Sequence, residues 1–425
     1  MLLASLLLTN CSSPEQPASP SPHRAPSTAF VIDQAQLYDK ILGTLVGSAI
    51  GDAMGAPTEM WSRQRIATHY GFVDHLDTMV RAPSGEGIWG YNLPAGGTTD
   101  DTRWKKLVAE YLLAPSAPFG SNPPDAVGFA RHIVTVYLRH LQTLQTTEGP
   151  DPEPYESACR GVAWLQEWAR VAQPYAEGDL EAYSVALHRF YGGEMTCAGL
   201  LYSPVVGALY PAQPERAYRA AYQLSLFDLG YARDISALAA AMVATAMQPS
   251  AQPNDIINVV RDVDPHDYFR SRLVGRAAYR ILEEARSIVY TARQLPLADV
   301  DTLRLSFPSH LNVDTLFLGQ MQRAYELLDQ RNQDVPFHAG EIHLVNLTAL
   351  LFCNFDFERS LAFVTNYGRD NDTTGALTGA ILGAYWGFDQ LPDEMKTSVL
   401  TQDSLSAQVM LPQLAQQLTD RFLRQ

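Results

Sequence analysis

The stretch Asn366–Gly387, NYGRDNDTTGALTGAILGAYWG, sets Asp370, Asp372, Thr373 and Thr374 ahead of glycines at every fourth position: Gly375, Gly379, Gly383 and Gly387. A period of four keeps residues on one slowly drifting face of an α-helix. The same stripe occurs near the other end of the chain, where Gly43, Gly47, Gly51 and Gly55 punctuate KILGTLVGSAIGDAMG (residues 40–55). Glycine inside a helix costs about 1 kcal/mol relative to alanine. Eight of them at one spacing need a compensating gain. Close backbone approach is that gain, because small residues let helices touch. Asp52 and the short apolar lengths argue against a membrane-dimer motif. Both striped segments are therefore expected to be helices packed closely in the core, each a candidate partner for the other.

Apolar spacing predicts further helices around them. Leu37, Ile41, Leu42, Leu45 and Ala49 recur at helical intervals behind a candidate N-cap, Asp33, and Pro57 stops the run. Trp104, Leu107, Val108, Tyr111 and Leu112 do the same after TTDDT. Pro214 suits the first turn of another helix. Residues 234–247, DISALAAAMVATAM, are apolar on most sides and read as a buried helix. Residues 267–295 read as one long amphipathic helix, and 343–368 as two helices or one broken helix. Segments 115–126, 146–155 and 248–256 are rich in Pro, Gly, Ser, Asn or Asp and read as loops. Strand-like alternation is scarce and no repeat is evident. The expected fold is all-α, a compact multi-helix bundle forming one domain from residue 30 to 425.

Two acidic motifs stand at helix starts: GGTTDDT, with Thr99, Asp100 and Asp101, and GRDNDTT, with Asp370, Asp372 and Thr373. One carboxylate at a helix start is ordinary capping. Two acids with a threonine, twice over, fit capping less well. Converging carboxylates repel unless a cation or proton intervenes. Asp and Thr oxygens are hard ligands, suited to Mg²⁺, Mn²⁺ or Ca²⁺ rather than zinc. Neither motif has a histidine or cysteine beside it. Glu59 ends GDAMGAPTE; alone it is an unremarkable loop residue, and beside a metal site it becomes an acid/base candidate.

These three stretches together resemble the ADP-ribosylglycohydrolase family in residue pattern, order and position near the chain ends. The motifs span about fifty residues, with a weaker likeness over roughly 38–395. The resemblance implies an all-α bundle with a two-metal centre, Mg²⁺ or Mn²⁺. Thr99, Asp100 and Asp101 would supply one ligand set, and Asp370, Asp372 and Thr373 the other. It implies hydrolysis at C1″ of an ADP-ribosyl group, with Glu59, Asp100 and Asp372 as catalytic residues and an ADP-ribosylated acceptor as substrate. Two departures stand out. Arg369 replaces a frequent glycine, and YGGEMTCAGLLYSP (residues 191–204) only loosely matches the family's Asn-Gly-Ala-Met type segment at Gly193 and Met195. The alternatives are a hydrolase of another ribosyl substrate on the same scaffold, and a non-catalytic ADP-ribose-binding or immunity protein.

The 425 residues are 46% hydrophobic, enough for a large core, and carry a net charge of −15. Without a basic run, general nucleic-acid binding is disfavoured. A phosphate-bearing ligand would be held locally, by a metal or by helix N-termini. Cys159, Cys197 and Cys353 are too scattered for a disulfide framework and read as buried small hydrophobes. Cys11 differs. It follows the apolar run Leu2–Leu8 and precedes a Ser/Pro tract, a pattern resembling a lipoprotein signal and tether over residues 1–29. That implies a lipid anchor at Cys11 and placement in the cell envelope; without a functional signal the protein would be cytoplasmic. A monomer is expected.

Overall fold

The structure, a computed structural model, describes residues 32–80, 92–114, 124–147, 149, 152–406 and 409–424; the expected signal, tether and Cys11 anchor lie outside them. Among the described residues the chain forms seventeen α-helices and four two-residue strands. In the first third these are α1 (Gln34–Gly55), β1 (Trp61–Ser62), α2 (Arg63–His69), β2 (Met79–Val80), β3 (Asn92–Leu93), α3 (Asp100–Leu113) and α4 (Ala126–Thr146). The middle carries α5 (Pro152–Glu177), α6 (Leu180–Phe190), α7 (Ser203–Ala208), α8 (Pro214–Leu224), α9 (Ala232–Ala246), α10 (Pro253–Asp262) and α11 (Ala277–Arg293). The last third has α12 (Thr315–Asp329), α13 (Ala339–Phe352), α14 (Phe357–Tyr367), β4 (Gly368–Arg369), α15 (Asn371–Trp386), α16 (Asp393–Ser406) and α17 (Leu411–Leu423). The fold is all-α, as expected. None of the described helices is long and apolar enough to cross a membrane.

The two glycine stripes pack against each other. Gly43 faces Gly383, Gly47 faces Gly379, Gly51 faces Gly375, and Gly55 abuts Asp372, so α1 and α15 run antiparallel. A Cβ added at any of these seven glycines would come within 3.0 Å of the partner's backbone. Gly387 ends α15 with a φ of +85°, its backbone against Gly43 and its missing Cβ leaving room for the Asp39 side chain of α1. Residues 40–55 of α1 and 371–384 of α15 are buried on every side, making this pair the axis around which the other helices pack. Lys40, buried in α1, donates to the carbonyls of Ala246 (3.3 Å), Ala384 (2.8 Å) and Tyr385 (3.0 Å). It thereby satisfies the acceptor ends of α9 and α15.

Asp33 caps α1 by accepting from Gln36 N at 2.8 Å. The alanine-rich α9 is buried, as its composition suggested. Three expectations need correction. The loops expected at 146–155 and 248–256 end early, because Pro152 and Pro253 open α5 and α10 rather than break the chain. Proline's fixed φ and missing N–H suit a first turn. The long helix expected over 267–295 begins only at Ala277, after Gly275 at φ +68°. Residues 343–368 divide into α13 and α14 about Asn354 and Phe355, whose φ values of +53° and +62° turn the chain.

Candidate active site and metal centre

Asp52 is the hinge of the site. It is fully buried in α1, and each of its oxygens receives a threonine. Oδ1 accepts from the backbone N (3.0 Å) and Oγ1 (2.9 Å) of Thr99. Oδ2 accepts from the backbone N (3.1 Å) and Oγ1 (2.5 Å) of Thr102. These bonds hold the first turn of α3, where Thr99 is the N-cap and accepts from Asp101 N at 3.3 Å. Sequence reasoning weighed Asp52 only against a membrane reading. The available signal was a carboxylate inside an apolar helix, which demands hydrogen-bond partners.

Glu59 reaches the site by a different route. β1 pairs antiparallel with β4, Trp61 opposite Arg369, and Met60 N donates to Arg369 O at 2.7 Å. Asn371 Nδ2 donates to Thr58 Oγ1 at 2.8 Å. The loop after α1 is thus laced to the start of α15. Glu59 is buried there, with carboxylate oxygens of Glu59, Asp370 and Asp372 all within 4.8 Å of one another. The starts of α3 and α15 are joined as well. Thr99 Oγ1 donates to Asp372 Oδ2 (3.4 Å) and Thr373 Oγ1 to Asp101 Oδ2 (3.1 Å). The structure therefore brings together Glu59, Thr99, Asp101, Asp370, Asp372 and Thr373, all buried, with Asp100 half-buried beside them.

So many carboxyls in one buried place disfavour ionisation. Burial pushes Asp101 and Asp372 well above the usual carboxylate range. Repulsion from Asp52, Asp100 and Asp370 adds to it at Asp101, and from Glu59, Asp370 and Asp101 at Asp372. Asp52 and Asp370 are raised by burial too. Asp100 is pushed up to about 6, by burial first and by Asp52 and Asp370, against the opposing pull of Arg103. Lys105 brings one buried ammonium, which donates to Asp101 O at 2.9 Å and lies 3.9 Å from Asp101 Oδ1. One ammonium does not neutralise this cluster, and Asp101 Oδ1 is buried without a hydrogen-bond partner. Carboxylate and hydroxyl oxygens converging with excess negative charge fit hard divalent cations.

Cys197 lies beside the centre, where sequence reasoning had only a buried small hydrophobe. Its Sγ donates to Asp370 Oδ2 at 3.6 Å. Burial first, and then the neighbouring Asp370 and Asp101, push the thiol well above its ordinary value.

A family model described as ADP-ribosylglycohydrolase matches residues 33–425. The chain belongs to the ADP-ribosylglycohydrolase family. An Escherichia coli K12 relative carrying only the name uncharacterized protein YegU is 25% identical over 363 residues, covering 85% of this chain and 92% of its own length. The ADP-ribosyl-(dinitrogen reductase) glycohydrolase of Rhodospirillum rubrum is 22% identical over 357 residues, covering 84% and 88%. A solved structure titled ADP-ribosylglycohydrolase-related protein complex shares the fold. It aligns with a TM-score of 0.54 at 17% identity over 91% of this chain and 99% of that one.

Within the ADP-ribosylglycohydrolase family this chain's two departures have structural explanations. Arg369 adopts φ +65°, the region glycine favours. Its guanidinium is held in place by two bonds to buried Glu341 (2.6 and 2.8 Å) and one to Gln333 O (2.7 Å). These contacts offset the backbone strain. The loosely matching segment docks on the start of α13: Met195 O accepts from Ala339 N at 2.9 Å, and Cys197 N donates to Phe337 O at 3.0 Å. That docking is what carries Cys197 to Asp370.

A second group, Asp74, His75 and His310, also brings potential ligand atoms within 4.8 Å. Here the carboxylate is already filled. Asp74 Oδ2 accepts from the backbone N–H groups of Ser309 (2.8 Å), His310 (2.6 Å) and Leu311 (2.9 Å); Oδ1 accepts from Ser309 Oγ and His75 Nδ1, both at 3.1 Å. Five donors exhaust a carboxylate's four lone-pair sites, so Asp74 is a clamp on residues 309–311. Burial opposes its ionisation, but these bonds win and draw it down to about 2. A lowered folded-state pKa gives stability that is complete above the unfolded value and lost as pH falls through about 2. The whole contribution is about 2 kcal/mol. Between about pH 5 and about pH 3, urea unfolding should show wild type losing about 1 kcal/mol more than Asp74→Asn. Equal losses in the two proteins would refute the clamp.

Proposed function

We propose that the protein is a divalent-cation-dependent hydrolase that cleaves the glycosidic bond at C1″ of an ADP-ribosyl group and releases ADP-ribose from a modified acceptor. The observation that carries this reading is the meeting of three separate segments. Glu59, Thr99–Asp101 and Asp370–Thr373 converge, with the oxygens of Glu59, Asp370 and Asp372 within 4.8 Å. The Rhodospirillum rubrum relative is named for a reaction of this class.

Thr99, Asp100 and Asp101 would hold one cation and Asp370, Asp372 and Thr373 the other. When bound, the ions, Mg²⁺ or Mn²⁺, would supply Lewis-acid charge that favours deprotonated oxygen at the reacting centre. Glu59 would move a proton, through its carboxyl, at the leaving-group atom bonded to C1″. Asp100, at the more exposed side of the cluster, would accept the proton of the attacking water, with Asp372 orienting the reacting atoms. The first turn of α15 turns the positive end of its dipole toward this region, which suits an anionic diphosphate. Charge develops at C1″ with oxocarbenium character, as in other glycoside cleavage, and the carboxylates beside it stabilise that charge.

The test is release of ADP-ribose from mono-ADP-ribosylated arginine, serine and nucleic-acid-end substrates, with Mg²⁺, Mn²⁺ or EDTA. Release from one class, dependent on the cation, is the expected result and names the acceptor. Tight ADP-ribose binding without release would replace the hydrolase with a binding protein. Neither binding nor release would move the reading to another ribosyl substrate.

A further inference from the structure

Asp74, His75 and His310 meet where residues 73–75 lie against residues 309–311. A nitrogen of each imidazole and an oxygen of Asp74 are within 4.8 Å of one another, and the two rings stand 4.9 Å apart at a tilt of 51°. Asp74 itself has no oxygen to spare for an ion, since five donors already fill it. What the carboxylate does is place both histidines. His75 Nδ1 lies 3.1 Å from Oδ1, and the backbone N–H of His310 donates to Oδ2 at 2.6 Å.

The first of these bonds decides a tautomer. Asp74 is ionised down to about pH 2, so its oxygens only accept and His75 Nδ1 must carry the proton. In the neutral ring the free lone pair is then on Nε2. Histidines that ligate metals have this arrangement: one nitrogen on the ion, the other donating to a carboxylate that fixes the ring. The His310 ring is exposed and has no hydrogen-bond partner among the described residues.

Both backbones are held. Asn366 accepts from Val73 N at 2.9 Å and donates to Val73 O at 2.7 Å, which clasps the residue before Asp74. Three successive N–H groups of residues 309–311 grip Asp74 Oδ2 from the other side. A pair of ligands on fixed main chain loses little freedom when an ion binds. Glu358, on the first turn of α14, is close enough for Asp74 to add to burial and Asp356 in raising its carboxyl, so a further oxygen donor is at hand.

Neutral imidazole suits Zn²⁺, Cu²⁺ or Ni²⁺, where the carboxylates and hydroxyls of the other centre suit harder ions. Zinc binds imidazole nitrogen at about 2.0 to 2.1 Å, which sets two such nitrogens about 3.3 Å apart in a tetrahedral shell. The exposed His310 ring has the freedom to close to that spacing.

We propose that His75 and His310 form a two-imidazole site for a zinc-type divalent cation, with Asp74 as the positioning residue that orients the His75 ring. Glu358 or water would complete the coordination. The ion would staple residues 73–75 to residues 309–311, so its effect is on stability. The site shares no residue with the carboxylate centre and does not rest on the hydrolase reading.

Calorimetric titration of Zn²⁺ into the full chain, with Mg²⁺ in excess to fill the hard-ligand positions, tests the site. Wild type should bind. His75→Gln and His310→Gln should each bind at least about tenfold more weakly, as for loss of a ligand or of the group that orients one. Scanning calorimetry should show Zn²⁺ raising the Tm of wild type by more than that of either variant. His188→Gln, at an exposed position on α6, should match wild type. The Tm of each variant in EDTA reports its folding. His310→Gln, which removes no side-chain hydrogen bond among the described residues, carries the test if His75→Gln folds poorly. Zn²⁺ that displaces Mg²⁺ at the carboxylates would bind wild type and variants alike and leave the difference between them to be read. No zinc binding by wild type, undiminished binding by His310→Gln, or an equal loss in His188→Gln overturns the proposal.

Discussion

Asp372→Asn is expected to abolish turnover while leaving the helical fold intact, and to be the more stable protein in EDTA but the less stable one with a divalent cation. Asp372 is buried at the start of α15, with Thr99 donating to it and Glu59, Asp370 and Asp101 repelling it. Asparagine keeps the shape and removes the charge. With EDTA present the variant should melt at or above the wild-type temperature, because one buried carboxyl that raises its neighbours is gone. With Mg²⁺ or Mn²⁺ the order should reverse, because a cation that binds only the folded state stabilises it by an amount that rises with the logarithm of its affinity. The rate should fall by at least about 10²- to 10³-fold, as for loss of a metal-positioning or charge-stabilising group. Scanning calorimetry in EDTA and in Mg²⁺, with the ADP-ribose release assay, gives both readings. A variant with wild-type rate and wild-type response to Mg²⁺ would rule the centre out.

Gly47→Ala should destabilise the protein where the same change in an ordinary helix would stabilise it. Alanine is favoured over glycine in a helix interior by about 1 kcal/mol. Here the added Cβ would run into the carbonyl of Gly379, and Gly379 would press back on Gly47. Neither backbone can retreat, since both helices are buried on all sides. We expect a net loss of at least about 2 to 3 kcal/mol, the upper part of the range for overpacked cores. Cation affinity should weaken with it, because α1 carries Asp52 and α15 carries Asp372 and Thr373. Gly193→Ala is the control. Gly193 has φ +86° but nothing within 4 Å of a new Cβ, so it should lose only the about 1 to 2 kcal/mol of a left-handed alanine. Chemical denaturation of the three proteins decides; a stabilised Gly47→Ala would mean the helices can part without penalty.

Most of the site was legible because its parts are short local patterns. Thr99–Asp101 and Asp370–Thr373 were readable as paired oxygen donors at helix starts, and Glu59 as their neighbour only through the family resemblance. Asp52, Cys197 and Glu341 were not readable as members of the site. Each acts on a residue far away in the chain: Asp52 on Thr99 and Thr102, Cys197 on Asp370, Glu341 on Arg369. Prolines misled the reading of 146–155 and 248–256, since the same residue ends one helix and opens another.

Local pattern along the chain was enough to establish that the protein is helical, that two of its helices are built for backbone contact, and that two oxygen-rich motifs begin helices. Periodicity, capping and side-chain chemistry are properties of neighbours along the chain, so they can be read without coordinates. It took the packed fold to show that the two glycine stripes meet each other, antiparallel and in register, and that this contact places the start of α15 against the end of α1. It also decided that α3 is pinned to the same place by Asp52. Those outcomes depend on which surfaces exclude water together and on Coulomb terms that act through space. Neither is encoded at any one position of the chain.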